Sequence, residues 1–444
     1  MRLKKFTPTL YTNSMKRSSI NQSSPKCMSS QSKQRNVFAV RSLEETRRIL
    51  LANERIEIKP QLKRAFIITW VLVTNCSLYI LKFILFKKWG YDRKDFKDIV
   101  VYTVGIVGDN VIMLPALAAL RRRYQDAKIT VVTNCQMWDQ QGAKGVLEPS
   151  PFSNHLIILN DHPVQREGFS FHMIPKKFEG LQCDLFVNLS PFGNRGWFGA
   201  VVREMIFAKK IRAQYAIGFH MSTYSRKGLF NEVQHYFVKN EPRRSEEVLK
   251  RLGLSPAYHE DLLPKNNVAR ESVIKKLDEH NMNNKSLFVI NAGAKLEAKC
   301  WPSERFAEAA KWVRRKYDAA VVLTGIAAER DISEKIKKEL GNSVINLTGE
   351  TTINELVELL RLAKACITND TGTMHISDMV GIPTVALFTT RLSPTHWLPA
   401  GDKVISLFSL PGCKYCYDDS CQTRECLNAI EVEDVIEALE KVLS

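Results

Sequence analysis

Acidic residues are absent from the first 40 positions of this 444-residue chain. That stretch is rich in Ser, Gln, Asn, Lys and Arg and has too little apolar surface to bury, so a disordered tail is expected. An organelle transit peptide or an over-early start codon would leave the same composition. Internal repeats at solenoid periods are missing, which argues against a stacked-repeat architecture. No RRM, KH or zinc-finger pattern accompanies the basic residues, so nucleic acid is not expected as a partner.

The apolar fraction of 45% is ordinary for a folded protein, and the length suits two domains plus an extension. The formal charge of +17 is uneven: residues 1–64 hold 15 Lys or Arg against Glu44, Glu45, Glu54 and Glu57. Residues 1–64 are therefore expected to form a basic, disordered extension with its own electrostatic task, an anionic membrane surface being the natural partner. Six of the ten cysteines are scattered, as expected for reduced, packed thiols in a cytosolic protein.

Residues 65–86, AFIITWVLVTNCSLYILKFILF, carry Lys82 as their only charge and are flanked by Lys63, Arg64, Lys87 and Lys88. The segment 65–97 is expected to be a hydrophobic, membrane-associating helix. It could lie in the interfacial layer with its basic flanks at anionic headgroups, span the bilayer, or be a buried core helix. With the rest of the chain in the cytoplasm, a spanning helix would send the basic N-terminus outward, against the positive-inside rule.

From residue 98 strands and helices alternate. DIVVYTVG, KITVVTN, HLIILN, CDLFVNLS and YAIGFH read as one set of strands. SLFVINAG, AAVVLTG, SVINLTG, ACITND and PTVALFTT read as a second, with helices such as RFAEAAKWVRRKY between them. Such alternation predicts an α/β fold of two Rossmann-like, doubly wound domains facing a cleft. The domains are expected at 99–267 and 285–430, joined near 242–267, with a last helix at 431–444 packing back across the cleft.

Ligands in open parallel sheets collect at the carboxyl ends of strands, and three motifs sit there. In TVGIVGDNVIMLPALAALRRRY, Asp109 is either a helix N-cap or a general base for an acceptor hydroxyl. In NAGAKLEAKCWPSERF, Lys295 and Lys299 are either solvated loop lysines or cations for a diphosphate leaving group. Ser303 is expected to cap the next helix, and Trp301 to pack. In ITNDTGTMHISDMVGIPTVALF, Asp370, Thr371, Gly372 and Thr373 precede a helix whose N–H groups and dipole favour phosphate, without a Walker lysine. His375 on that helix is expected to be packed or capping. A fourth motif gathers Cys413, Cys416, Cys421 and Cys426. Its spacing permits a four-thiolate zinc site but lacks paired CxxC knuckles, so packed thiols or a redox pair remain open.

Taken together, GDNVIMLPALAALRRRYQDAKITVVT, KCWP, VLTG followed by Glu329, NDTGTMHISDMVGIPTVALF and the cysteine-rich tail resemble glycosyltransferase family 9, the ADP-heptose:lipopolysaccharide heptosyltransferases. The resemblance runs from about residue 98 to the C-terminus. It implies a GT-B fold with an N-terminal acceptor domain and a C-terminal nucleotide-sugar donor domain. It implies an inverting transfer of heptose from ADP-heptose to a lipopolysaccharide-core or other lipid-linked saccharide, with no required metal or cofactor. Asp109 then matches the general base and Lys299 the lysine that neutralises the donor phosphates. Asp370 matches a carboxylate near the donor sugar. Thr371, Gly372 and Thr373 match the phosphate-binding turn, and Glu329 matches an acid for the donor ribose. Such an enzyme would work at the cytoplasmic face of the inner membrane, peripheral or N-terminally anchored.

Two departures bear on the donor. Thr389-Thr390-Arg391-Leu392-Ser393-Pro394 replaces a Gly-Pro-Thr run, and Lys295 stands where a small or hydroxylated residue is commoner, which suggests a second phosphate contact. The alternatives are a different nucleotide sugar or a GT-B epimerase on the same scaffold, and a non-catalytic membrane protein that binds a nucleotide or glycan.

Overall fold

The computed structural model describes residues 37–52, 59–86, 95–134, 142–148, 150–159, 178, 180–190, 198–219, 240–280, 285–341, 344–413, 415–416 and 418–444. Residues 1–36 of the basic extension and 87–94 of the apolar segment lie outside the described residues. Residues 37–52 correct the expectation of disorder through residue 64: Val37–Val40 form strand β1 and Leu43–Ala52 form a helix. Their apolar side chains supply the reason, since Val40 and Leu50 are buried in one cluster with Phe388 and Phe408.

The first sheet holds β2 (Asp98–Tyr102), β3 (Lys128–Asn134), β4 (His155–Leu159), β5 (Leu185–Asn188) and β6 (Tyr215–Ile217). Its order is β4-β3-β2-β5-β6 and every pairing is parallel. The second holds β7 (Leu287–Asn291), β8 (Ala320–Leu323), β9 (Val344–Asn346), β10 (Ala365–Asn369), β11 (Thr384–Leu387) and β12 (Val404–Ser409). Its order is β1-β12-β11-β10-β7-β8-β9, parallel apart from the antiparallel edge strand β1. The chain order reverses between β2 and β5 in one sheet and between β7 and β10 in the other. Those two reversals open crevices at strand carboxyl ends.

The strands are buried on both faces, which is why LFVIN and AVVL read as continuous apolar runs rather than alternating ones. Helix Ser303–Tyr317 buries Phe306, Ala307, Ala310 and Val313 at helical spacing. Glu304 near its start and Arg314, Arg315 and Lys316 near its end complement its dipole. Its N-cap is Pro302, one residue before the expected Ser303. Helix Ile353–Leu362 starts from a capping box in which Thr352 Oγ1 accepts from Glu355 N and Glu355 accepts from Thr352 N.

One apolar core runs between the sheets, joining Leu117, Leu120 and Val131 of the first half to Val289, Val357 and Ile376 of the second. Each such side chain contributes about 1.5–3 kcal/mol on burial. The joint near 242–267 contains a helix, Glu241–Leu249, capped by Asn240. A second helix, Asn267–Asp278, is capped by Asn266. The last helix, Val432–Leu443, does not cross the cleft as expected. Its apolar stripe Val435, Ala438 and Leu439 packs with Phe306, Ile405 and Leu407 of the second sheet, which buries it fully there.

Helix Lys59–Leu85 occupies the apolar segment. No helix among the described residues is long and apolar enough to cross a membrane. One side of this helix is packed: Leu78 and Phe86 are buried with Val201 and Met205, and Leu81 and Leu85 lean on the same cluster.

Candidate active site at the strand ends

Three strand ends build the site. The loop after β2 turns through Gly105 into the short helix Val107–Val111, and Asp109 is its third residue. The N-cap position belongs to Ile106, so Asp109 is not the cap itself. Instead its Oδ2 accepts the Ile106 N–H at 2.7 Å, reaching back over the first turn. A Cβ at Gly105 would fall 2.3 Å from this carboxylate, so glycine is required for the side chain to fold back. Burial pushes the Asp109 carboxyl up from 3.8 to about 7, and Glu241 adds to the rise. The Ile106 N–H, Lys295 and Lys299 oppose it. Asp109 is thus within electrostatic reach of both lysines.

Lys299 follows β7 on a short 3-10 turn, Glu297–Lys299. Its Nζ lies 2.6 Å from Asp370 Oδ2 and 3.3 Å from the Asp370 carbonyl oxygen. Lys295 is exposed on the same loop. Trp301 is a packing residue, 1% exposed, donating Nε1–H to the Ile430 carbonyl and standing edge-on to Phe306.

Asp370 and Thr371 leave β10, and helix Gly372–Val380 begins at once. Thr371 holds the N-cap position without a side-chain cap bond, because its hydroxyl donates to Asn291 Oδ1 at 3.1 Å. Thr373 is buried in the first turn. Gly372 meets the helix after β2 almost backbone to backbone: a Cβ there would sit 3.5 Å from Gly108 N, and one at Gly108 would sit 3.1 Å from the His375 ring. The two strand-end turns are therefore apposed, with the positive end of the longer helix at the meeting point. His375 is buried and packed against Trp397, and burial holds its pKa down at about 4, so it is neutral. Its Nδ1 has no hydrogen-bond partner among the described residues.

Glu329 repeats the geometry of Asp109 in the second sheet. It is the third residue of the turn after β8, and its Oε2 accepts the Ile326 N–H at 3.0 Å. Gly293 and Gly325 make room for it, since a Cβ at either would lie 2.2–2.6 Å from its carboxyl group. Burial raises its pKa.

The departing loop contributes Thr389, Arg391, Leu392, Ser393 and Pro394 to a pocket that it lines together with Lys299, Asp370, Phe388 and Trp397. Cys413, Cys416, Cys421 and Cys426 line an adjoining pocket that shares Thr389 and Arg391 with it. No group of three or more His, Cys, Asp or Glu among the described residues is placed to hold a metal ion. Cys426 is turned to Thr389 Oγ1 at 3.3 Å, and burial with neighbouring thiols and acids raises Cys416.

Sequence reasoning missed a third group. Asn240 donates to the Thr395 and Leu398 carbonyls at 3.1 and 2.8 Å, tying helix Glu241–Leu249 to the cavity loop. Beside it Glu241 accepts from Arg244 Nε at 3.1 Å and lies 3.8 Å from His396 Nε2, all three side chains being buried. Arg244 Nη2 reaches the Ser190 carbonyl beyond β5 at 2.8 Å. Buried charge in a segment read only as a joint was the one signal available.

The family model described as glycosyltransferase family 9 (heptosyltransferase) matches residues 211–426. Lipooligosaccharide heptosyltransferase 2 of Campylobacter jejuni is 31% identical over 223 residues, covering 47% of this chain and 68% of the relative. Lipopolysaccharide heptosyltransferase 3 of Escherichia coli is 25% identical over 346 residues, 76% of this chain and 96% of the relative. Among solved structures, a family 9 glycosyl transferase from Veillonella parvula superposes with a TM-score of 0.59 at 21% identity, covering 79% of this chain and 97% of that one. The E. coli ADP-heptose lipopolysaccharide heptosyltransferase II gives 0.56 at 19% identity, covering 78% and 98%. These two likenesses bear on the fold, which is GT-B.

Proposed function

Because the chain belongs to glycosyltransferase family 9, the heptosyltransferases, and is a glycosyltransferase, we propose that it moves heptose from ADP-heptose to a hydroxyl of a lipopolysaccharide-core or other lipid-linked saccharide, with inversion. The relatives' printed names supply the sugar and the acceptor class. The observation that supports the chemistry is the meeting of the turn after β2, which carries Asp109, with the turn after β10, where Asp370 pairs with Lys299 from the loop after β7.

Residues 99–267 present the acceptor and residues 285–430 the donor. Asp109 takes the proton from the attacking hydroxyl. A base with a pKa of about 7 is half ionised near neutrality and strong enough to accept a proton as the hydroxyl bonds to the anomeric carbon. Lys299 leaves Asp370 to meet the departing diphosphate, and Lys295 makes a second phosphate contact. The N-terminus of helix Gly372–Val380, with Thr371, Gly372 and Thr373, receives the same negative charge. Asp370 orients the donor sugar and Glu329 the ribose. Holding donor and acceptor on two apposed turns supplies much of the remaining acceleration. No metal or cofactor is needed for these steps, and the lipid-linked acceptor places the reaction at the cytoplasmic face of the membrane.

The test is transfer by the full chain, with Asp109→Asn and Asp109→Ala beside it. Loss of transfer with nucleotide binding retained is expected, and an active Asp109→Ala protein removes Asp109 as the base. A second reading, another nucleotide sugar, is favoured by one observation: Arg391 and its neighbours line the cavity beside Lys299 and Asp370. Calorimetry with ADP, UDP, GDP and CMP separates the two. Preference for ADP supports the heptose donor, and preference for another nucleotide replaces it.

A further inference from the structure

Nine large apolar side chains are exposed among the described residues, and five of them, Val73, Tyr79, Ile80, Phe83 and Ile84, stand on the one helix Lys59–Leu85. They are not scattered on it. Val73, Ile80 and Ile84 recur at helical spacing on the side away from Leu78, with Phe83 and Tyr79 along one margin. Cys76 and Ser77, also exposed, fall on the same side, and Ser77 turns its hydroxyl back to the Val73 carbonyl at 2.9 Å. The exposed positions from 73 to 84 hold no ionised group. A solvated helix face ordinarily carries charge, so a continuous apolar one this long marks a contact surface.

The rim supplies the partner's charge. Lys82 is the only charged residue of the segment, and burial together with the nearby Arg251 lowers its pKa to about 8. Lys209 and Lys210 end the packed helix Phe198–Lys210, and Lys209 Nζ reaches the Leu85 carbonyl at 2.9 Å, which sets a cation at the C-terminal end of the apolar face.

We propose that this face lies in the plane of an anionic bilayer, with Val73, Ile80, Phe83 and Ile84 below the headgroups and Lys82, Lys209, Lys210 and Arg251 among them. A spanning helix would be surrounded by lipid, whereas this one is already covered by protein along Leu78, Leu81 and Leu85. The inference goes beyond the transfer reaction and needs neither donor nor acceptor.

Flotation of the full-length purified protein with vesicles tests it, using phosphatidylglycerol with phosphatidylethanolamine against phosphatidylcholine alone. Binding to the anionic vesicles is expected, weakening at high salt, and the double variant Ile80→Glu/Ile84→Glu is expected to lower partitioning at least about tenfold. Arg251→Glu lowers it less, and only for anionic vesicles. Unchanged flotation of the double variant overturns the proposal, as does equal binding to neutral vesicles. A change in oligomeric state by light scattering assigns the face to a second copy instead. A markedly lower melting temperature of the double variant assigns it to the chain's own interior. Since flotation is read without substrate, its failure leaves the proposed transfer standing.

Discussion

Replacing Asp109 by Asn should abolish transfer and stabilise the protein at the same time. In the folded protein the carboxyl titrates at about 7 rather than 3.8, chiefly because burial penalises its charged form. An unfolded chain has no such penalty and ionises near the ordinary value. Between those two pH values the folded state therefore holds a proton that the unfolded state has released, and stability falls as pH rises. Each pH unit in that window weighs about 1.4 kcal/mol, so the ceiling at pH 8 is about 4 kcal/mol. Solvent at the cleft mouth screens part of it, leaving about 2 kcal/mol as the working figure. Asparagine keeps an oxygen for the Ile106 N–H and carries no charge to bury, so it recovers this energy. Spread over a chain of this length, the gain in melting temperature is on the order of 2 °C. Thermal melts of wild type and Asp109→Asn should coincide near pH 4, separate as pH rises to 7, and stay separated above it. Transfer by the variant should fall by roughly 10²–10⁴ above pH 7, where the wild-type carboxyl is ionised, and by progressively less as pH falls below it. A variant that melts no higher than wild type at pH 8, or one whose advantage is the same at pH 4 and pH 8, refutes the assignment of a buried, proton-holding carboxyl.

The wild-type rate should rise about tenfold per pH unit up to about 7 and level off above it, as measured by kcat/KM against pH. Glu241→Gln removes a negative charge that raises the Asp109 pKa, so the midpoint of that profile should move to lower pH; an unmoved midpoint excludes Glu241 as a neighbour of the base. Lys299→Ala should weaken nucleotide affinity roughly 10- to 100-fold by calorimetry, the range of a charge-assisted contact, and unchanged affinity removes it from the phosphate site. Gly108→Ala places a methyl group 3.1 Å from the His375 ring between the two turns, so transfer should drop while the fold survives; full activity would show that the turns need not meet.

Much of this arrangement was legible in the chain because it rests on local signals. Apolar runs bounded by glycine loops marked β2, β7 and β10, and a strand end followed at once by a helix marked Asp109, Lys299 and Asp370 without any knowledge of packing. What was hidden is long-range. The carboxylates of Asp109 and Glu329 answer to a backbone N–H three residues earlier, which a cap rule applied to single positions does not separate from a true N-cap. Asn240, Glu241 and Arg244 gain their meaning from carbonyls more than 150 residues later and from Ser190, contacts that no spacing rule reaches. The final helix carries an apolar stripe that would suit either sheet, and only the surface left by Phe306 and Leu407 decides which.

Strand β1 pairs with β12, Val37 opposite Ser409 and Val40 opposite Ser406. During synthesis these four residues wait for their partner until some 370 further residues have been made. Long-separated pairings close late because the intervening chain must first lose its freedom. Until then β12 presents an open edge, the kind of edge that recruits other chains. An expressed piece beginning at residue 98 would keep every proposed site residue and leave that edge open permanently, so its solubility, rather than its chemistry, is where the missing segment would first be felt.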